Sequence, residues 1–229
     1  MAIAIIGGTG EEGFGLALRL AKAGEDVVIG SRLQEKGEAA ASRARELLGD
    51  VRIGGATNQD AAASDVVFVT VPFAGQAEIY RSIRESLREG AVVCDATSPL
   101  ASAVGRPAWQ VLTPWEGSAA EQAKAILPNH VRVVSGLQTV SGEALQDLER
   151  PLEGDVLLSG ADGEAKAAVG ELVQKIPDLR WVDAGPLSMA RIVERFTAVL
   201  VSVNRAYGLH DAGFRVTGRD GWGVRPTTA

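Results

Sequence analysis

Three glycines near the start of the chain have the spacing of a phosphate-binding turn. They are Gly8, Gly10 and Gly13, in the pattern Gly-x-Gly-x-x-Gly. Such a turn uses one glycine for the bend, one for close approach to a pyrophosphate and one for packing of a helix on a strand. The spacing alone is weak evidence, but residues 2–6 form an apolar run before it and residues 16–21 have helical periodicity after it. We therefore predict that this turn binds a dinucleotide at the start of a helix.

The residues after the second apolar run indicate which dinucleotide fits. An NAD-binding strand usually ends in an Asp or Glu that bonds the ribose 2′-hydroxyl, but here residues 26–30 are followed by Ser31 and Arg32, with Lys36 in the next turn. A carboxylate would repel a 2′-phosphate, whereas hydroxyl, guanidinium and ammonium groups donate to it. The sequence therefore predicts NADP. The alternative is that Arg32 and Lys36 are solvated charges in the first turn of a helix.

Strands and helices alternate along the segment that must position these groups. Residues 65–71 are a continuous apolar run, as expected of a parallel strand buried on both faces, and residues 91–95 are predicted to form another strand. Helical periodicity predicts helices over residues 33–48 and 76–87. This alternation predicts an α/β fold with a doubly wound, mainly parallel, Rossmann-like sheet and right-handed crossovers.

Ligands of such sheets lie outside the carboxyl ends of the strands. This rule makes Val71, Pro72, Phe73 and residues 97–100 further candidates for the site, because they follow two of the predicted strands. The alternative for both segments is that their prolines only punctuate loops.

The second half of the chain predicts an extension of the sheet followed by a helical unit. Residues 155–183 contain a strand, a helix and a strand, and residues 187–208 read as one long helix. We therefore divide the chain into an NADP-binding Rossmann-like domain, residues 1–184, and a small helical C-terminal domain, residues 185–229. Residues 197–203 are apolar nearly all round, so we expect the sheet domain or a partner subunit to cover them.

Composition excludes several classes of protein. The net charge of −6 argues against nucleic acid as a general partner. No apolar stretch approaches the length of a membrane span, and residues 1–6 lack the basic region of a signal peptide. A single cysteine, Cys94, cannot form an internal disulfide, which is compatible with a reducing cytoplasm. His130 and His210 lie far apart without neighbouring cysteines, so we expect no metal site.

Several of these segments together resemble one family, the NADPH-dependent coenzyme F420 reductases, also called F420H2:NADP oxidoreductases. The resemblance includes the glycine turn, the segment from Ile29 to Lys36, Thr70-Val71-Pro72, residues 117–121 and residues 183–188, and it covers roughly residues 1–218. Other NADP enzymes share the first two segments. The Asp-Ala-Gly-Pro-Leu segment from residue 183 makes the resemblance more specific.

The resemblance implies reversible hydride transfer between C4 of the nicotinamide and C5 of the deazaflavin in a cytoplasmic homodimer. Both reactants supply their own chemistry, so the protein positions them and needs no catalytic acid or base. The implied cofactor contacts are Gly8, Gly10 and Gly13 for the pyrophosphate, Ser31, Arg32 and Lys36 for the 2′-phosphate, and Thr9, Val71, Pro72 and Phe73 for the nicotinamide. The implied contacts of F420 are Leu100, Gln138, Thr139, Val140, Leu187 and Ser188.

The chain departs from the family pattern near the hydride acceptor. Gln138 stands where the family often has His or Asn, and Phe73 where it commonly has Trp; Gln cannot protonate as His does. Another reading is therefore an NADPH-dependent reductase of a flavin, quinone, imine or metal complex. A third is a non-catalytic NADP sensor. Residues 219–229 extend past the usual end of the family and suggest no function.

Overall fold

A computed structural model describes residues 1–218 of the chain. The strands are β1 (Ala2–Ile6), β2 (Asp26–Ser31), β3 (Ile53–Thr57), β4 (Val66–Val69), β5 (Val92–Asp95), β6 (Arg132–Ser135), β7 (Gly154–Gly160) and β8 (Leu179–Gly185). All belong to one sheet with the order β3-β2-β1-β4-β5-β6-β7-β8. The six strands from β3 to β6 are parallel to one another, and β7 runs antiparallel to β6.

The helices cover both faces of this sheet. They are α1 (Glu11–Lys22), α2 (Gln34–Leu48), α3 (Asn58–Ala62), α4 (Phe73–Ile83), α5 (Ala119–Ile126), α6 (Gly142–Gln146), α7 (Gly163–Gln174), α8 (Ala190–Val193) and α9 (Phe196–Tyr207), with 3-10 turns at Ala101–Val104 and Leu187–Met189. One core packs α1, α2 and α7 on the sheet, and a second core packs α3, α4 and α5 on the opposite face. The prediction of a doubly wound, mainly parallel fold is confirmed.

The central strands β1 and β4 are apolar on both faces because helices bury both faces. In β1, Ile3 and Ile5 belong to one core while Ala4 and Ile6 belong to the other, and all four are fully buried. This is the period-two alternation of a strand with no solvent-facing side. It explains why the predicted strands read as continuous apolar runs.

The strand β7 is antiparallel to β6 and is shifted along it, so that the two strands overlap only at their ends. It pairs with β6 only through Val134 with Gly160 and Ser135 with Ser159. Residues 154–158 therefore continue past the last paired residue of β6, over about 17 Å at the usual rise of a strand. The β7–β8 pair thus overhangs the edge at which the parallel strands end.

The helix α4 differs from its predicted extent, and its buried face is partly polar. It begins at Phe73, three residues earlier than expected, and it ends at Ile83. Its fully buried face contains Gln76, Tyr80 and Ile83, whereas Ile79 is only partly buried. Gln76 and Tyr80 occupy the core face because Asp95, at the end of β5, accepts a hydrogen bond from each of them.

The segment predicted as one helix over residues 187–208 is broken, so that prediction was wrong. A 3-10 turn is followed by α8, by a turn at residues 194–195 and then by α9. The carboxylate of Glu194 accepts from the main-chain nitrogens of Ala119 and Ala120, which ties the chain to the start of α5 at the break. Among the residues of α9, only Ala198 is buried within the described chain, and Val199 is 57% exposed.

The C-terminal unit packs on the overhanging part of the sheet. Val193, Phe196 and Phe214 contact a small core that includes Leu157 and Val182 from β7 and β8. The rings of Phe196 and Phe214 stack with centroids 4.9 Å apart. The division of the chain at residue 184 stays a prediction, and residues 219–229 lie outside the described part of the chain. No helix within residues 1–218 is long and apolar enough to span a bilayer.

Candidate functional site

A cleft of about 690 Å³ opens beside the carboxyl ends of β1 to β4. Its lining consists of Gly7, Thr9, Gly10, Ser31, Arg32, Leu33, Lys36, Asn58, Thr70, Val71, Pro72, Gly75, Glu78 and Ile79. Seven of the ten residues predicted to contact NADP are in this lining. Gly8, Gly13 and Phe73 are the three that are not.

The glycine turn gives the cleft its phosphate-facing end. Gly7 takes the left-handed conformation with φ of +79°, so the bend falls one residue before the predicted motif. A methyl group at Gly13 would collide with Oγ1 of Thr70 and lie 2.8 Å from the main-chain oxygen of Gly7. Gly8 is equally restricted, because a methyl group there would lie 2.8 Å from the main-chain oxygen of Ile5. Gly8 and Gly13 therefore allow the main chain of the turn to pack closely, and they do not line the cleft. Gly10 does line it.

The lobe of the cleft beside β2 is rich in hydrogen-bond donors. Ser31 is buried at the end of β2, while Arg32 and Lys36 are exposed. Neither cation forms an ion pair or a hydrogen bond within residues 1–218, so both are available to a ligand. Oγ of Ser31 accepts from the main-chain nitrogen of Leu33 at 3.5 Å, which leaves its own proton free for donation. This lobe fits an anion such as a 2′-phosphate.

The opposite end of the cleft lies where β4 gives way to α4. Oγ1 of Thr70 donates to the main-chain oxygen of Ile6 across 3.0 Å, which joins the ends of β4 and β1. Val71 and Pro72 follow in the cleft lining, and Pro72 is the residue that precedes the first turn of α4. The structure thus places apolar side chains at the end predicted for the nicotinamide.

A buried polar network lies behind this end, and the sequence reasoning missed it. Asp95 is fully buried and accepts from the hydroxyl of Tyr80 at 2.7 Å, from the amide of Gln76 and from the main-chain nitrogen of Thr97 at 2.7 Å. Gln122 donates to Gln76 across 2.7 Å and extends the network to α5. Burial raises the pKa of Asp95 to about 6, although the hydrogen bonds oppose this shift. The sequence feature that could have indicated this network is the acidic residue Asp95 at the end of an apolar strand.

Two further carboxyl groups lie near Asp95: Glu12 is partly buried and Glu194 is buried. Burial, with a smaller contribution from Asp95, raises the pKa of Glu12 to about 8. Oε1 of Glu12 is buried and has no hydrogen-bond partner. Burial likewise raises the pKa of Glu194 to about 8, against the opposing effect of its bonds to Ala119 and Ala120. Glu12 and Glu194 therefore hold protons at a pH at which exposed glutamates do not.

Gln138 is the predicted acceptor-side residue that the structure connects to this network. Its amide nitrogen donates to the main-chain oxygen of Asp95 and to Oγ of Ser135, both at 2.9 Å. Its amide oxygen is buried without a partner. Thr197, from α9, donates to the main-chain oxygen of Gln138 at 2.7 Å and lies 2.7 Å from Oγ of Ser98. The C-terminal unit therefore contacts the ends of β5 and β6 directly.

The other predicted acceptor contacts are spread over both faces of the sheet. Thr139 and Val140 line a separate cavity of about 270 Å³, and Val140 packs against the core beneath α1. Leu187 packs against the core on the opposite face, and Ser188 is exposed. Leu100 pairs with Val111 in an isolated bridge. Their assignment to F420 stays a prediction.

The segment from Asp183 to Ser188, which made the family resemblance specific, has a structural role at its start. Asp183 pairs with the buried ammonium of Lys166 at 2.6 Å and accepts from the main-chain nitrogen of Gly185 at 2.8 Å. These bonds fix the end of β8 and the direction of the chain into the helical unit. Residues 1–218 contain no group of three His, Cys, Asp or Glu side chains that is suited to a metal ion.

Comparison with known proteins gives a consistent result. Residues 2–99 match the family described as NADP oxidoreductase, coenzyme F420-dependent. An F420-dependent NADP reductase from Methanothermobacter thermautotrophicus is 43% identical over 221 residues, which are 95% of each chain. One from Methanocaldococcus jannaschii is 40% identical over 222 residues, covering 95% of this chain and 98% of the relative.

Solved structures agree with the observed fold. A crystal structure of a proposed F420-dependent NADP reductase from Arthrobacter sp. FB24 superimposes with a TM-score of 0.79 at 26% identity. The superposition covers 94% of this chain and 99% of the other. The similarity therefore includes the overhanging strands and the helical unit as well as the glycine turn.

Proposed function

The chain belongs to the family of F420-dependent NADP reductases, and on that premise we propose that it transfers a hydride reversibly between NADP(H) and coenzyme F420. In the direction of F420 reduction, C4 of NADPH gives a hydride to C5 of the deazaflavin, and the deazaflavin also takes up one proton. The observation that carries the proposal is the cleft, which joins the glycine turn to Ser31, Arg32 and Lys36.

The cleft supports the NADP contacts that the family resemblance implies, since seven of those ten residues line it. We infer that Gly8, Gly10 and Gly13 admit the pyrophosphate and that Ser31, Arg32 and Lys36 donate to the 2′-phosphate. The nicotinamide then lies towards Thr9, Val71, Pro72 and Phe73. The turn and the donor lobe support this placement, because they fit an extended dinucleotide with its 2′-phosphate at β2.

The acceptor contacts are proposed for Leu100, Gln138, Thr139, Val140, Leu187 and Ser188. Gln138 has the strongest support, because its amide oxygen is buried without a partner beside the end of β5. A buried acceptor of this kind is satisfied when a ligand brings an N–H or O–H group to it. The protein then acts by holding the two rings together and excluding water, which requires no catalytic acid or base.

The direct test is turnover of oxidised F420 with NADPH, followed by the loss of the visible absorption of the deazaflavin. The expected result is turnover that depends on both reactants and that falls in the Arg32→Ala variant at limiting NADPH. Turnover of a flavin, quinone, imine or metal complex without turnover of F420 would contradict the proposed acceptor. NADPH binding without turnover of any acceptor would indicate a non-catalytic NADP sensor.

We also propose that the protein is a homodimer in the cytoplasm and that residues 185–229 contribute to the acceptor pocket and the dimer interface. The support is that three large apolar side chains of this helical unit are exposed: Val199 by 57%, Ile192 by 52% and Tyr207 by 76%. Exposed apolar groups clustered on one unit are typical of interfaces. Light scattering should give twice the chain mass, and Val199→Asp should give a monomer. A wild-type monomer at all concentrations would contradict this proposal, and cell fractionation tests the location.

A further inference from the structure

We propose that Asn58 is an additional ligand of the NADP 2′-phosphate and helps the site to distinguish NADP from NAD. This inference rests on the NADP half of the proposed function. No pattern in the sequence singles out Asn58, which reads as an ordinary helix-capping residue. In the structure Thr57 caps α3 instead, through its Oγ1 and the main-chain nitrogen of Asp60 at 3.1 Å. The side chain of Asn58 is therefore not needed as a cap.

Asn58 combines deep burial with an unused hydrogen-bonding capacity. Asn58 is among the residues that line the cleft together with Ser31, Arg32 and Lys36, and it is only 3% exposed. Its Oδ1 is buried without a partner, and its Nδ2 forms no hydrogen bond within residues 1–218. The unpaired Nδ2 is therefore a donor for which a ligand in the cleft can supply the acceptor.

The packing around Asn58 indicates which end of the amide meets the ligand. Oδ1 packs towards Gly30, where a methyl group would lie 3.0 Å from that oxygen. The absence of a side chain at Gly30 thus makes room for the carbonyl end. Nδ2 is the end of the amide that is left for the cleft, and an amide nitrogen donates. The ligand group opposite it must therefore be an acceptor.

The surroundings identify that acceptor as a phosphate. Ser31 is paired with Thr57 across β2 and β3, so Asn58 lies directly beside the end of β2. The hydroxyl of Ser31, the cations of Arg32 and Lys36 and the amide nitrogen of Asn58 are all donors, and donors of this kind converge on phosphate oxygens. The neighbouring carboxylate of Asp60 accepts a 2.6 Å bond from Oγ1 of Thr57 and is exposed. It therefore does not compete for these donors.

The test compares two fragments of the cofactor that differ at the 2′ position. Binding of 2′,5′-ADP and of 5′-AMP is measured by calorimetry for the wild type and for Asn58→Ala. Loss of a hydrogen bond to a charged group weakens binding by about tenfold or more, so the affinity for 2′,5′-ADP should fall by at least that factor. The affinity for 5′-AMP should stay within about twofold, because it lacks the 2′-phosphate. Gln59→Ala, an exposed neighbour in α3, is the matched control and should change neither affinity.

Two outcomes would overturn the inference. An equal loss for both fragments would show that the amide contacts adenine or ribose, and no loss for either would show that Asn58 only packs. If Asn58→Ala does not fold, the isosteric Asn58→Asp variant replaces it and should lose 2′,5′-ADP more strongly, since it adds a carboxylate. A wild type that fails to prefer 2′,5′-ADP over 5′-AMP would instead contradict the NADP half of the proposed function.

Discussion

The side-chain amide of Gln138 donates to the main-chain oxygen of Asp95 across 2.9 Å. Because a main-chain oxygen can only accept, this bond fixes the orientation of the amide and leaves its own oxygen as the free end. The same residue receives a 2.7 Å bond from Thr197 at its main-chain oxygen. One loop residue thus joins β5, β6 and the helical unit at the edge where we place the reacting rings.

Replacing Gln138 by Leu should weaken the reaction with F420 and leave NADPH binding unchanged. The variant removes the free amide oxygen from the acceptor side together with the bonds of the amide nitrogen to Asp95 and Ser135. The lost bond to F420 alone corresponds to about a tenfold fall in kcat/KM for F420. Steady-state kinetics and NADPH titration separate the two effects. Gln174→Leu, on the exposed side of α7, is the control. An equal fall in NADPH affinity would place Gln138 in the NADP site instead.

Arg32→Ala should selectively weaken binding of NADPH. The guanidinium is exposed in the cleft lining, and a charged hydrogen bond to the 2′-phosphate is worth about 1.5 to 3 kcal/mol. Fluorescence titration should show this loss for NADPH and little change for NADH. Arg81→Ala, an exposed arginine of α4 outside the cleft lining, should bind both cofactors as the wild type does. If the Arg32→Ala variant keeps the wild-type preference for NADPH over NADH, then Arg32 is a solvated charge and does not bind the 2′-phosphate.

Gly13→Ala should destabilise the protein and impair dinucleotide binding together. The added methyl group meets Oγ1 of Thr70 and the main chain of Gly7 and Gly8, which cannot move without opening the turn. Forcing a methyl group into such packing typically costs about 1 to 3 kcal/mol. Thermal melts with and without NADPH measure both effects. The control is Gly163→Ala, where nothing lies within 4 Å of the new methyl group, and this variant should melt like the wild type. A Gly13→Ala variant with the melting temperature and NADPH binding of the wild type would refute the packing role of Gly13.

Stability should fall as the pH rises from about 4.5 to 8, and Glu12→Gln should reduce that fall. The pKa of Glu12 is raised from 4.5 to about 8 in the folded state, so between these values the folded chain binds more protons than the unfolded chain. The free energy of unfolding then decreases with pH, by up to about 1.4 kcal/mol per pH unit for one such group. Urea titrations at pH 5 and pH 8 measure the difference. Glu149→Gln, at an exposed residue, should keep the wild-type dependence.

The sequence predicted the parallel half of the fold well because the strands there are buried on both faces. Their apolar runs, the glycine turn and the donors Ser31, Arg32 and Lys36 are local patterns, and each is readable without knowing its neighbours. The features that the sequence did not predict depend on residues that lie far apart along the chain. Asp95, Tyr80 and Gln76 are distant in sequence, and only the sheet brings them together. The antiparallel offset of β7 and the break at Glu194 also depend on pairing and on distant hydrogen bonds.

The overhang of β7 leaves a strand edge that β6 does not pair. The main-chain nitrogen of Asp155 donates to the oxygen of Phe214 at 2.8 Å, and Thr139 donates to the oxygen of Asp155 at 3.2 Å. Without these partners the edge would offer unpaired groups to another chain. Because a chain is synthesised from its N-terminus, Phe214 arrives after the whole sheet. Protection of this edge against self-association is therefore among the last steps of biosynthesis, and chains truncated before Phe214 should aggregate.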